Sequence, residues 1–232
     1  MNFRTGFVLT GLALQILSAC GKSAATVTPA SVVVVNAVPT SNNLIILFNN
    51  DVPKYFSSAL SIGYGGAALY SPPSGNRVVS VIQSTDTAKA IFASPLHFAV
   101  GGMYSLFFAG DTTRPDTLLI KDNIVNYSSD SAGVRFVNLS IGGKSLSINL
   151  EGGTPGDFAT LAYKGVSDFK SFNADVNGPG GYNFEIHDPV TGDLLTTFTW
   201  SYTDHKNNTV VIAGSPDPSS STPLNVFQVN HF

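Results

Sequence analysis

The chain repeats itself. Set VVNAVPTSNNLIILFNN, from Val34, against FVNLSIGGKSLSINLEG, from Phe136. Val35-Asn36 falls on Val137-Asn138, Leu44 on Leu146, Ile46 on Ile148 and Phe48 on Leu150, all at an offset of 102. Phe56 then meets Phe158, Tyr64 meets Val166 and Tyr70 meets Phe172 at the same offset. Further along, STDTAKAIFASPLHFAVGGMYSLFFAG lies over DPVTGDLLTTFTWSYTDHKNNTVVIAG with the offset at 104. That pairs Leu96 with Trp200, Phe98 with Tyr202 and Ala109-Gly110 with Ala213-Gly214. A drift of two residues is what one loop insertion produces, so the chain reads as a tandem duplication.

Within each copy the apolar period is two. Leu146, Ile148 and Leu150 alternate with Ser145, Ser147 and Asn149, and Phe198, Trp200 and Tyr202 alternate with Thr197, Thr199 and Ser201. Alternation of this kind puts one set of side chains on a single face of a strand. Gly, Pro, Asn and Ser clusters separate such runs, and Gly192-Asp193 supplies a hairpin turn. Only two acidic residues are Glu, at 151 and 185, and charged residues make up 12% of the chain, which argues against many exposed helices. Six or seven short strands per copy fit an all-β fold of two tandem immunoglobulin-like Greek-key β-sandwiches. The expected plan is a signal segment at 1–19, a tether at 20–30, copy 1 at 31–124, a polar linker at 125–132 and copy 2 at 133–232.

The N-terminus explains why there is one cysteine in 232 residues. A single cation, Arg4, precedes an almost uncharged run from Gly6 to Ala19. Fourteen helical residues would span roughly 21 Å, short of a ~30 Å hydrocarbon core, so the run reads as an export signal rather than a membrane span. Leu17-Ser18-Ala19-Cys20 resembles the lipobox of bacterial lipoproteins. That resemblance implies cleavage between Ala19 and Cys20 and a palmitate-type lipid anchor on Cys20. Two or three acyl chains on one residue hold a protein on a membrane durably, which one chain does not. With its only thiol acylated, the exported chain has no disulfide framework and relies on apolar cores.

The Val-Asn pair closing the first strand, the alternating strand after it, and the later strand ending FFAG or VIAG resemble the domain-of-unknown-function 4397 family. Tandem copies of that family are common in lipoproteins of Bacteroidetes-type bacteria. The resemblance covers nearly the whole chain after Cys20 and implies an immunoglobulin-like sandwich at the cell envelope. It carries no catalytic residues.

The chemistry legible in the residues is sparse. A net charge of −3 without a basic stripe excludes nucleic acid as the expected partner. Gly142-Gly143-Lys144-Ser145 and Cys20-Gly21-Lys22-Ser23 echo the end of a phosphate loop, but neither has the glycine that motif needs five positions earlier. His97, His187, His205 and His231 show no metal-ligand spacing. Asp188 and Asp193 fit turn aspartates better than calcium ligands. No cofactor, metal or catalytic residue is therefore expected. Tyr55, Tyr64 and Tyr70 lie in a long, charge-poor stretch and form a candidate ligand loop, against a core role for the same rings. Thr87, Thr112, Thr117 and Ser131 follow aspartates and resemble O-glycosylation acceptors of Bacteroidetes-type bacteria. The expected function is a non-enzymatic envelope lipoprotein that binds, adheres or spaces, with a glycan or an envelope protein as partner. The alternative is an envelope hydrolase with a site not visible in the sequence. Gly21, Lys22 and Ser23 lack an acidic surface-export cluster, which favours an outer membrane lipoprotein on the periplasmic face.

Overall fold

The structure is a computed structural model that describes residues 28–49, 60–127 and 130–231. The signal segment, Cys20, Tyr55 and Phe56 lie outside the described residues. Copy 1 contributes eight strands: β1 (Ser31–Asn36), β2 (Leu44–Phe48), β3 (Ser61–Ile62), β4 (Ala67–Tyr70), β5 (Gly75–Gln83), β6 (Asp86–Phe98), β7 (Met103–Gly110) and β8 (Pro115–Lys121). Copy 2 contributes β9 (Ser131–Ser140), β10 (Leu146–Leu150), β11 (Ala159–Leu161), β12 (Lys170–Asn173), β13 (Tyr182–His187), β14 (Leu194–Trp200), β15 (Asn207–Gly214) and β16 (Asn225–Asn230). Among the described residues there is no helix.

The two copies have one topology. Copy 1 forms sheets ordered β4-β1-β7-β8 and β3-β2-β5-β6, and copy 2 forms β12-β9-β15-β16 and β11-β10-β13-β14. In each, the first strand lies parallel to the seventh, and every other pairing is antiparallel. Among the described residues the duplication therefore holds strand by strand, with eight strands in each copy rather than six or seven.

Ladder registers show that the offset does not drift once but several times. Leu44 pairs with Ile62 and Leu146 with Leu161, which sets the third strand at an offset of 99. Phe48 pairs with Val79 and Leu150 with Phe184, setting the fifth at 105. The seventh stands at 104 and the eighth at 109, because the β15–β16 loop is longer than the β7–β8 loop. Two expected pairs fall to these slips. Tyr70 sits where Lys170 sits, not Phe172, because Val32 pairs with Tyr70 and Val134 with Lys170. Tyr64 matches Tyr163, not Val166: the amides of the next residues, Gly65 and Lys164, donate to the carbonyls of Asn36 and Asn138. The pairing of Leu96 with Trp200 stands.

Among the described residues the four sheets enclose two sandwich cores and a junction core, and Ile45, Leu47 and Ile82 of β2 and β5 form a small fourth buried cluster. In copy 1, Leu44, Ile46, Val79 and Val81 pack on Val32, Val34, Leu106 and Phe108. In copy 2, Leu146, Ile148, Phe184 and Trp200 pack on Val134, Phe136, Val210 and Ile212. A third core fills the space between the copies, where Val33, Val35, Phe107 and Ala109 meet Val137, Leu139, Val211 and Ala213. Strands β1, β9 and β15 thus lie under apolar contacts on both faces, and alternate residues along them serve different cores. Val211, between Val210 and Ile212 of the copy 2 core, faces this junction instead.

The copies lie side by side and point the same way. Arg135, midway along β9, reaches Ser105 near the start of β7, while Lys164, level with Asn138 further along β9, reaches Asp116, level with the end of β7. The β8 edge faces the β12 side of copy 2, through Asp116, Tyr163 and Lys164, and Tyr64 ahead of β4 meets Phe227 of β16. The start of the stretch expected as a polar linker bonds to copy 2 at Val125. The Val125 amide donates to Asn207 Oδ1 at 3.2 Å, Asn207 Nδ2 donates to the Val125 carbonyl at 2.8 Å, and β9 begins at Ser131.

Candidate functional site

The sequence-derived candidates do not converge. Tyr64 is half-buried in the junction core, its ring 6.3 Å from that of Phe227. Tyr70 packs against Phe48 in the core of copy 1, and burial pushes its hydroxyl up to about 12. The two rings serve different cores and form no shared platform, and Tyr55 lies outside the described residues. Thr87 is exposed near the start of β6, Thr112 is half-exposed in the β7–β8 loop, and Thr117 and Ser131 are half-buried within β8 and β9. Asp188 is a turn residue whose Oδ1 accepts from the amides of Val190 and Thr191 at 2.8 and 3.3 Å. Lys144 lies in the tight turn ahead of β10, where its carbonyl accepts from Asn138 Nδ2 at 2.9 Å. His97 is exposed and meets Asn76 Oδ1 at 2.9 Å. Among the described residues no three His, Cys, Asp or Glu side chains are placed to share a metal ion.

The Val-Asn pair has a structural task, performed twice. Asn36 Nδ2 donates to the Ile62 carbonyl at 3.0 Å and Asn138 Nδ2 to the Leu161 carbonyl at 2.9 Å, tying each inner sheet to its outer one. Each Oδ1 accepts the amide two residues on, at 3.0 Å in both copies. A buried amide with donors and acceptor satisfied closes the sandwich end without a polar penalty. The glycines of the FFAG and VIAG endings are equally demanded. Gly110 and Gly214 have φ of 78° and 81°, and a Cβ there would run into the carbonyls of Arg114 and Pro223.

The densest buried chemistry lies in the junction. Arg135 is 4% exposed, and its Nη2 meets Asp122 Oδ1 at 2.6 Å and Ser105 Oγ at 3.1 Å. Its Nε donates to Thr209 Oγ1 at 2.9 Å, and its guanidinium carbon stands 4.6 Å over the Phe169 ring. Thr209 Oγ1, an acceptor for Arg135, also shares a hydrogen bond of 2.6 Å with His231 Nε2. His231 Nδ1 is buried without a partner. Burial holds His231 down to about 4, with Arg135 adding to the effect and Asp122 opposing it. Nothing in the sequence placed Arg135 beside Asp122, which lie 13 residues apart on different copies.

Clefts open in equivalent pairs. At the junction, one of about 420 Å³ is lined by Ile120, Lys121, Arg135, Val166 and Phe169, and one of about 250 Å³ by Val33, Ala67, Leu69, Asn230 and His231. At the end where β7 and β15 finish, each copy has a cleft between its outer edge strand and its last loop. In copy 1 it measures about 430 Å³ and is lined by Gln83, Asp86, Lys89, Ile91, Thr112 and Thr113. In copy 2 it measures about 510 Å³ and is lined by Leu195, Thr196, Pro216, Asp217, Pro223 and Leu224. The described chain enters at the opposite end, where the Ala30 amide donates to the Pro72 carbonyl at 3.0 Å.

No curated protein matches the chain in sequence. Among solved structures, the Bacillus anthracis TIE protein is 12% identical with a TM-score of 0.26; the alignment covers 81% of this chain and 34% of that one. The chain thus spans about a third of the TIE protein's length. A CBM26 module of Eubacterium rectale Amy13K, solved with maltoheptaose, is 9% identical over 86% of this chain and 97% of the module, with a TM-score of 0.27. A candidate cell adhesion protein of Bacteroides eggerthii is 10% identical over 87% of this chain and 95% of that one, with a TM-score of 0.22. Scores this low transfer neither ligand nor partner. The family profile is different: residues 30–149, more than half the chain, match the one described as "Domain of unknown function (DUF4397)". The match runs through copy 1 into β9 and β10, across both conserved-in-structure Val-Asn strand ends, and the chain belongs to the DUF4397 family.

Proposed function

We propose that the protein is a lipid-anchored envelope module that works by binding or adhesion rather than by catalysis. One observation carries this reading. The described chain enters at one end of the side-by-side copies, and the loops after β5, β7, β13 and β15 gather at the other with the paired end clefts. A lipid on Cys20 would sit under the entry end and leave those loops facing away from the membrane. Clefts bearing hydroxyls, amides, carboxylates and a lysine suit a polar partner such as an envelope glycan or a polar segment of an envelope protein. The outer membrane, on its periplasmic side, is the proposed location.

The test has two arms. Cys20→Ser removes the acylated thiol, and the variant is expected to leave the membrane fraction of a lipoprotein-processing host; co-fractionation with the parent would overturn the anchor. Residues 28–232, immobilised, are expected to retain polysaccharide or protein from the native host's envelope. Replacing 111–114 and 216–222 with Gly-Ser should abolish that retention, and retention unchanged by the replacement would overturn the end clefts as the binding surface.

A further inference from the structure

The junction is self-complementary. Val33 and Arg135 occupy one position in the two copies, since they pair with Ser105 and Thr209 in the parallel ladders. Asp122 and His231 occupy another, their amides donating to the carbonyls of the equivalent residues Met103 and Asn207. Across the junction Arg135 meets Asp122, and in the mirrored place Val33 lines a cleft with His231. Tyr163 reaches Asp116, and its counterpart Tyr64 lies beside Asn225, the counterpart of Asp116. If residue i of one copy touches j of the other, then the equivalent of j touches the equivalent of i. That is the contact pattern of a two-fold symmetric dimer.

We infer that the protein is a fused symmetric pair: the inner sheet of each copy is a face that pairs with a second such face, and Arg135 with Asp122 makes the two halves of one chain select each other. In a pair of two copy 1 units, Asp122 would face Val33 and stay buried without a cation. In a pair of two copy 2 units, Arg135 would face His231, buried without a carboxylate. Removing one partner of a buried ion pair is far more damaging than replacing both, so like pairs are selected against while the unlike pair joins the cation to the carboxylate. The partner this surface fits is another copy of the same fold, and within one chain that partner is always present.

The experiment cuts the chain. A protease site inserted between Tyr127 and Asp130 of residues 28–232 is cleaved, and the product is analysed by native mass spectrometry. The expected result is a single species holding one copy 1 fragment and one copy 2 fragment. In the variant Arg135→Val with Asp122→Asn, like pairs should appear beside the unlike pair, as they should with Arg135→Met and Asp122→Leu. Fluorescence of Trp200, which is buried in the outer core of copy 2, reports that copy 2 is folded in each case. Fragments that separate on cutting the parent chain would overturn the self-holding face. A pairing that stays strictly unlike in both folded double variants would overturn the role given to Arg135 and Asp122.

Discussion

Phe107→Ala tests whether the third core makes one folding unit of two copies. Phe107 is fully buried in the middle of β7 and belongs to the junction core with Val137, Leu139 and Val211. Truncating a buried Phe in a packed site costs about 3–5 kcal/mol, the transfer loss plus the cavity left behind. In a cooperative unit of about 200 residues, each 1 kcal/mol moves the melting temperature by about 2–4 °C, so the expected drop is roughly 6–20 °C. The sole tryptophan makes the assay selective. Trp200 lies in the outer core of copy 2, and its Nε1 donates to Asn208 at 3.0 Å. Its fluorescence therefore follows copy 2, whereas far-ultraviolet dichroism follows both copies. The two traces should coincide in the parent and fall together in the variant. A fluorescence transition left at the parental temperature, while part of the dichroism melts early, would mean that copy 2 draws no stability from the junction.

Trp200→Ala should cost about 3–5 kcal/mol by cavity formation alone, read as a lowered urea midpoint. In copy 1 the fully buried side chain of the sixth strand is Phe98, with Leu96 only half-buried, so Phe98→Ala should be the more damaging of the two by the same assay. For His231 the sign follows from a folded value near 4 against 6.5 in the unfolded chain. Between those values the unfolded chain takes up the proton more readily, so stability present above pH 6.5 falls towards pH 4, by about 3 kcal/mol in all. His231→Asn should flatten that part of the profile, and a parental slope in the variant would count against it. Intact mass of protein from the native host should exceed peptide plus lipid by the O-linked sugars proposed at Thr87 and Thr112, the two of the four acceptors outside the half-buried strand positions. A mass equal to peptide plus lipid would remove that proposal.

Strand periodicity and the repeat were legible because both are local. Leu146, Ile148 and Leu150 alternate cleanly, and β10 sets them against the copy 2 core. The junction was present in the same text but read differently. Val32 to Val35 and Val210 to Ala213 do not alternate, and a run that is apolar at every position is buried on both faces. Two such sandwiches cannot sit apart in water. Long-range pairings left no such trace: Arg135 and Asp122 are ordinary charges until the sheets stack. The slips at Tyr64 and Tyr70 escaped because the offset falls by three, rises by six and falls by one more, leaving a net drift of two that imitates one insertion.

Because β7 and β9 run the same way across their shared core, the second sandwich adds breadth, not height. Four sheets about 10 Å apart make a block roughly 40 Å across counting side chains, while the longer strands limit its height to about 30–40 Å. Duplication has therefore not lengthened the molecule along its strands, as an end-to-end array would. It has doubled the end that carries the paired clefts and fixed the two halves of that end at a set separation. A partner with one binding epitope gains little from this geometry. A repeating polymer, whose units recur along its length, can occupy both halves at once, and the second contact then forms at high effective concentration.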